Sequence, residues 1–346
     1  MITSKFGGTA ITPANLHLVK RIASAPSRRI IVVSAIGKSH PSDVKVTDLL
    51  ISFATSGNEQ AWQQVCAKYR ALALQNSIPS DVDKLLFYAR QKASHGYESC
   101  LSVGEELSAR LVASYLHATY LPAEHFVTFN ERGKVDFAET YRRISAEVTP
   151  SANTKFVTGG FYGSDLRGNR HVFSRGGGDV SGALFAVGSN SALYENWTDV
   201  CGVFVANPAI VPNARHLPCL SYSQMQRLSR LGATVLHHSA LSPLAKCALP
   251  LVVGNFYRPL GCKTTVTNAP SHSAVLSVTE HKHACGFVTQ VVHQMSYAHL
   301  SACLFRLDSP LPKGTAITKV TLSPFSVKIF TSAHCLQHIY QCFCPD

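Results

Sequence analysis

Ile2-Thr3-Ser4-Lys5-Phe6-Gly7-Gly8-Thr9, followed by Pro13-Ala14-Asn15-Leu16, is the stretch that decides the fold. Residues 2–6 are extended in character, two glycines interrupt them, and Val19, Ile22 and Ala23 then recur at helical spacing. A strand, a glycine turn and a helix in that order leave bare backbone N–H groups at the positive end of a helix, where an anionic oxygen can approach. Lys5 adds a full positive charge at the same point. The spacings G-x-x-x-x-G-K-[ST] and G-x-G-x-x-G are both absent, so the turn alone also reads as a plain tight turn. A second glycine turn, Ser174-Arg175-Gly176-Gly177-Gly178-Asp179, opens another helical stretch, and the two together read as a phosphoryl-transfer site.

Outward from these turns, strand, polar turn and helix alternate. Ile30 to Val33 is a continuous apolar run of the kind a buried parallel strand requires, ending in Ser34-Ala35-Ile36-Gly37-Lys38. Small and polar residues thus stand at the carboxyl end of a strand, where open α/β sheets bind ligands. Residues 45–75 and 81–93 read as helices, and a third begins around Ser102. Lys155 to Val157 reads as a strand, Asp165-Leu166-Arg167-Gly168-Asn169 as a hairpin turn, and Val180 to Val187 as a helix close to a sheet. Ala192 to Glu195 leads into another polar strand end, Asn196 to Val200. The expected class is α/β: three layers, α/β/α, with a mainly parallel central sheet. From about residue 268 the pattern changes. Residues 268–273 read as a linker, and strand candidates follow at Phe287 to Val292, Ala316 to Leu322 and Phe325 to Thr331, so a small α+β remnant is expected there.

The 346 residues suffice for one large core and a smaller second unit. No apolar run approaches the roughly 20 residues of a membrane helix, and no secretory signal pattern opens the chain, so a cytoplasmic protein is expected. Eleven cysteines scattered through a chain of this length fit reduced thiols. The clusters His281 to Cys285 and His334-Cys335 with Cys342 and Cys344 lack paired zinc spacing, so no metal ligand set is assigned. Lys and Arg total 32 against 20 Asp and Glu, but the basic residues are dispersed and no aromatic-basic interleaving marks a stacking platform. That weighs against nucleic acid and toward an anionic small molecule.

KFGGTA, VVSAIGK, KVTDLL, SVGEELSA, TGGFYGS, SRGGGDVSGALFA, ENWTDVCGVF and LGATVLH occur in an order and spacing that resemble the aspartate kinases of the amino-acid-kinase superfamily. The resemblance covers residues 1 to about 267. It implies a catalytic domain over 1–267 with the amino-acid-kinase fold, and a short C-terminal region, 268–346, that is at most a partial ACT-like module. It implies ATP-dependent phosphorylation of the side-chain carboxylate of L-aspartate to 4-phospho-L-aspartate, the entry to lysine, threonine and methionine. L-Aspartate and ATP are then the partners, Mg²⁺ arrives with the nucleotide, and a homodimer is left open.

Residue by residue, the resemblance gives Lys5, Gly7 and Gly8 to the β- and γ-phosphates, with Thr9 shaping the same turn. Asp179 orients the lysine. Thr198, Asp199 and Phe204 fall on the nucleotide side. Glu105 takes the substrate ammonium, Arg175 the α-carboxylate, and Thr47 and Gly178 lie beside the substrate. Each has a plainer reading: Glu105 as a first-turn acid, Thr47 and Asp179 as helix N-caps, Arg175 as a surface residue.

The chain also departs from the pattern. Gly178 stands where serine is usual, Asn207-Pro208-Ala209 where Asp-Pro-Arg is common, Phe204 where tyrosine is frequent and Thr234 where some members have lysine. These departures leave two further expectations open: a kinase for a related acidic amino acid, or a weakened paralogue that binds nucleotide or a partner. Feedback control through paired ACT modules is not expected from the 79 residues after 267.

Overall fold

The computed structural model describes residues 1–148, 154–174, 176–230, 236–269, 273, 275–283, 286–307, 311–312 and 315–345. Compactness divides the chain into Met1–Cys201 with Ser239–Lys263, and Gly202–His238 with Thr264–Asp346. A single cut between 267 and 268 does not reproduce this division, because residues 202–238 group with the C-terminal segment.

In the first unit six parallel strands follow the spatial order Leu251–Asn255, Leu193–Thr198, Ile2–Phe6, Arg28–Val33, Phe156–Gly159, Thr119–Leu121. Ile2–Phe6 lies between the strand that follows it in sequence and one almost 190 residues on. This is a topological switch point, the place where α/β sheets leave a crevice at their carboxyl ends. Side chains alternate along it. Phe6 enters the core with Leu16, Val19, Ile31, Leu107 and Trp197, while Lys5 leaves on the other face, against the helix Gly177–Gly188. Helices cover both faces, giving the three expected layers.

The segment 45–75 is two helices, Val46–Ser56 and Glu59–Gln75. Gly57 ends the first with φ 66°, a left-handed conformation that glycine adopts without strain, and the Asn58 side chain caps the second by accepting from the Ala61 amide at 3.2 Å. The third helix runs Tyr97–Leu116, five residues earlier than expected, because Gly96 rather than a polar side chain precedes it. The hairpin is Tyr162–Asp165 with Arg170–Val172.

The second unit holds a four-stranded antiparallel sheet in the order Val275–His283, Gly286–His293, Ser326–Thr331, Ile317–Ser323. The helix Tyr297–Arg306 connects the second of these to Ile317–Ser323 across one intervening strand, a split βαβ crossover. The three expected strands are present. Val275–His283 was not read from the sequence, nor were the helices Tyr297–Arg306 and Leu336–Phe343.

Candidate active site

Lys5 Nζ donates to Asp179 Oδ1 at 2.7 Å. The lysine comes from the strand next to the first glycine turn, the aspartate from the first turn of the helix Gly177–Gly188. The N-cap of that helix is Gly176, at φ 63°, so Asp179 is not its cap and its carboxylate is turned to the lysine. Asn196, on the neighbouring strand directly beside Lys5, donates from Nδ2 to the same Oδ1 at 3.2 Å.

Lys5, Gly8, Thr9, Thr47, Glu105, Gly178, Asp179 and Asp199 all line one cleft of about 810 Å³ at the carboxyl end of the sheet. The first-unit sequence therefore brings together eight of the twelve expected residues. Gly8 and Gly37 face each other across the cleft floor. A Cβ on Gly8 would lie 2.7 Å from the Ala35 carbonyl oxygen, and one on Gly37 would lie 2.6 Å from the Gly8 carbonyl carbon, so main chain packs on main chain. The Gly37 amide donates to the Gly8 carbonyl at 2.9 Å, locking the two turns together. Thr47 is the second residue of its helix; Lys45 is the cap residue, so the N-cap reading of Thr47 does not hold.

Glu105 sits in the third turn of Tyr97–Leu116, so it is not a first-turn acid. Tyr69 fixes that turn by donating from its hydroxyl to the Gly104 carbonyl at 2.5 Å. Glu105 is only 5% exposed, and its Oε2 has no hydrogen-bond partner. Burial pushes its carboxyl up to about 8 against an ordinary 4.5, partly offset by the backbone amide of Ala35. An acid at the cleft with an unfilled buried oxygen suits a cationic ligand group, which would supply the missing donor and draw off the proton.

Four expected residues stand outside this set. Gly7 lies behind the turn, donating its amide to the Trp197 carbonyl at 3.3 Å. Thr198 gives its hydroxyl to Asp199 Oδ1 at 3.1 Å. Phe204 belongs to the second unit, where its ring packs edge-on against His216 with centroids 5.1 Å apart. Arg175 lies outside the described residues, as do Thr234 and part of the His281 to Cys285 cluster. A Cβ on Gly178 would come 3.2 Å from Ser34 Oγ and 3.4 Å from Lys5 Cε, so the missing serine side chain would have stood between the lysine and Ser34.

Sequence reading placed Ser34 and Lys38 at a strand end suited to a ligand but gave them no role, and it passed over His40 and Lys45; all four line the cleft, and the lysines add two cations to Lys5. It also passed over Glu106. Arg170 donates to Glu106 Oε2 at 2.6 Å and to Ser102 Oγ at 2.8 Å and pairs with Glu124, while Lys92 reaches Glu106 Oε1 at 2.7 Å. Burial alone would raise the Glu106 carboxyl, but Arg170 and Lys92 hold it down to about 2. The ion cluster ties the hairpin strand Arg170–Val172 to the long helix a few residues before the second glycine turn. The adjacent acids in SVGEELSA carry a signal for it, since one faces the cleft and the other the hairpin.

The model of the amino acid kinase family matches residues 1–255. Aspartokinase 3 of Bacillus subtilis is 31% identical over 288 residues, covering 76% of this chain and 63% of the relative. The aspartokinase of Chlamydia pneumoniae is 28% identical over 282 residues, covering 75% and 61%. The chain thus spans a little over three fifths of the length of these curated relatives. Among solved structures, the aspartate kinase of Clostridium acetobutylicum matches with TM-score 0.75 at 27% identity, covering 95% of this chain and 78% of that one. Escherichia coli aspartokinase III, in complex with aspartate and ADP, matches with TM-score 0.71 at 21% identity, covering 98% and 80%, a likeness of fold.

Proposed function

The chain belongs to the amino acid kinase family, and from that premise we propose that it transfers the γ-phosphoryl group of ATP to the side-chain carboxylate of L-aspartate. A carboxylate oxygen attacks the γ-phosphorus, the bond to the β,γ-bridging oxygen breaks, and ADP leaves with that electron pair. The attacking group is already an anion and needs no general base, so the protein's work is alignment and compensation of charge. Lys5 meets the charge developing on the transferred group, with Asp179 holding it in place, and the Gly7-Gly8-Thr9 turn bounds the phosphates. Glu105 receives the substrate ammonium, Arg175 the α-carboxylate, and Thr47 lies beside the substrate. Thr198 and Asp199 mark the nucleotide side.

The observation that carries this reading is the shared cleft: a paired lysine at a glycine turn and, in the same space, a buried acid with one unfilled oxygen. Mg²⁺ would enter with the nucleotide, held mainly by phosphate oxygens and water. When bound it neutralises phosphate charge.

The test is turnover of purified protein with ATP, Mg²⁺, hydroxylamine and L-aspartate. Aspartyl hydroxamate is the expected product; its absence, with nucleotide binding intact by calorimetry, refutes the kinase reading. Gly178 favours a second reading, a related acidic amino acid as acceptor, because it lacks the serine hydroxyl beside Lys5 and Ser34. Hydroxamate from such an acid and not from aspartate would select it.

A further inference from the structure

Asn196 was assigned nothing by the sequence, yet it is 2% exposed and stands beside Lys5 in strand register. Its Nδ2 donates to Asp179 Oδ1, the oxygen that also receives Lys5. Reversing the amide would set its oxygen against a carboxylate, so chemistry fixes its orientation. Asn196 Oδ1 is then buried and has no partner. Two residues earlier on the same strand face, Tyr194 gives its hydroxyl to the Asp179 backbone carbonyl at 3.2 Å. One strand therefore grips Asp179 twice, by side chain and by main chain, and leaves one acceptor over, on a side chain that shares an Asp179 oxygen with the Lys5 ammonium.

Resting on the kinase reading above, we propose that Asn196 is the positioning residue of the Lys5–Asp179 pair. Its Nδ2 fixes the carboxylate, and its Oδ1 is the second acceptor for the Lys5 ammonium as that lysine turns toward phosphate oxygens. A buried acceptor left unmade in the resting protein is destabilising, and a donor reaching it during transfer recovers that cost where it lowers the barrier.

The test compares the 346-residue parent with Asn196→Leu, which keeps the branched heavy-atom skeleton and removes both polar atoms, and Asn196→Asp, which keeps an acceptor and loses the donor. For the leucine variant the expected kcat is about 10–100-fold lower, with KM for ATP and for aspartate within about threefold of the parent. Its unfolding midpoint should stay within a few degrees of the parent, because the loss of an unsatisfied buried acceptor offsets the lost amide bond to Asp179. Asn196→Asp sets a second acid against the Asp179 carboxylate and should lose at least as much kcat as the leucine variant. A kcat within twofold of the parent, or a loss matched by a lowered midpoint, overturns the proposal. A readout without turnover separates it from the kinase reading: the Lys5 ¹⁵Nζ ammonium signal, assigned by its disappearance in Lys5→Met. Its protons should exchange at least about tenfold faster in Asn196→Leu; unchanged exchange overturns the positioning role. A parent that makes no aspartyl hydroxamate but shows this change refutes the kinase reading alone.

Discussion

Lys5 is paired with Asp179 at 2.7 Å, whereas Glu105 carries a buried oxygen with nothing to accept from, and the two replacements therefore act differently. Lys5→Ala removes a charge aimed at the transferring group without touching the core. Turnover in the hydroxamate assay should fall about 10²–10³-fold while the unfolding midpoint stays within a few degrees. Glu105→Gln should raise KM for aspartate by about 10–100-fold, the value of a charge-assisted bond. pH provides the sharper test. The Glu105 carboxyl is raised from 4.5 to about 8 by folding, so the stability of the neutral acid is full below about 4.5 and is lost as pH rises through about 8. In urea titrations Glu105→Gln should therefore gain on the parent steadily between pH 5 and 8 and level off above that. Ammonium capture needs the ionised form, so the parent's kcat/KM for aspartate should climb toward pH 8, and this slope should vanish in the variant.

Among the elements, the hairpin Tyr162–Asp165 with Arg170–Val172 is anchored by one buried arginine. Arg170→Met removes one of the cations shared by Glu106 and Glu124, leaving Lys92 between them, and should cost about 2 kcal/mol in denaturant unfolding, and the slackened hairpin should raise KM for aspartate. Legibility in the sequence varied with what each element depends on. Arg28–Val33 was readable because burial on both faces leaves an unbroken apolar run. The split at Gly57-Asn58 was hidden because both helices are apolar at the same spacing and only a backbone angle separates them. Tyr97–Leu116 started early because its first turn carries no capping side chain. Val275–His283 mixes serine, threonine, glutamate, lysine and histidine and lacked an alternating signal. Within the cleft, residues next to glycines or in recognisable motifs were legible. Asn196 was not, because its partner lies 17 residues away on another element and its neighbour Lys5 lies across the sheet.

At the scale of the whole molecule, neither unit is continuous in sequence. In the second, Tyr340 accepts the Arg215 amide at 3.0 Å, and the Val278 amide donates to the Val205 carbonyl. A chain ended at Thr267 would leave residues 202–238 without these partners. Limited proteolysis should then cut within 202–238 at protease levels that leave the full chain intact there; resistance would show that this segment folds independently of the C-terminal strands. The glycine floor of the cleft has a different reach. Gly8 and Gly37 in that floor, and Gly160 beneath Gly178, press backbone against backbone; at Gly160 a Cβ would stand only 2.8 Å from the Gly178 Cα. No exchange of side chains can widen or reshape that floor. In a saturation library selected for activity these three positions should tolerate nothing but glycine, and any drift in substrate preference must be written in the surrounding walls.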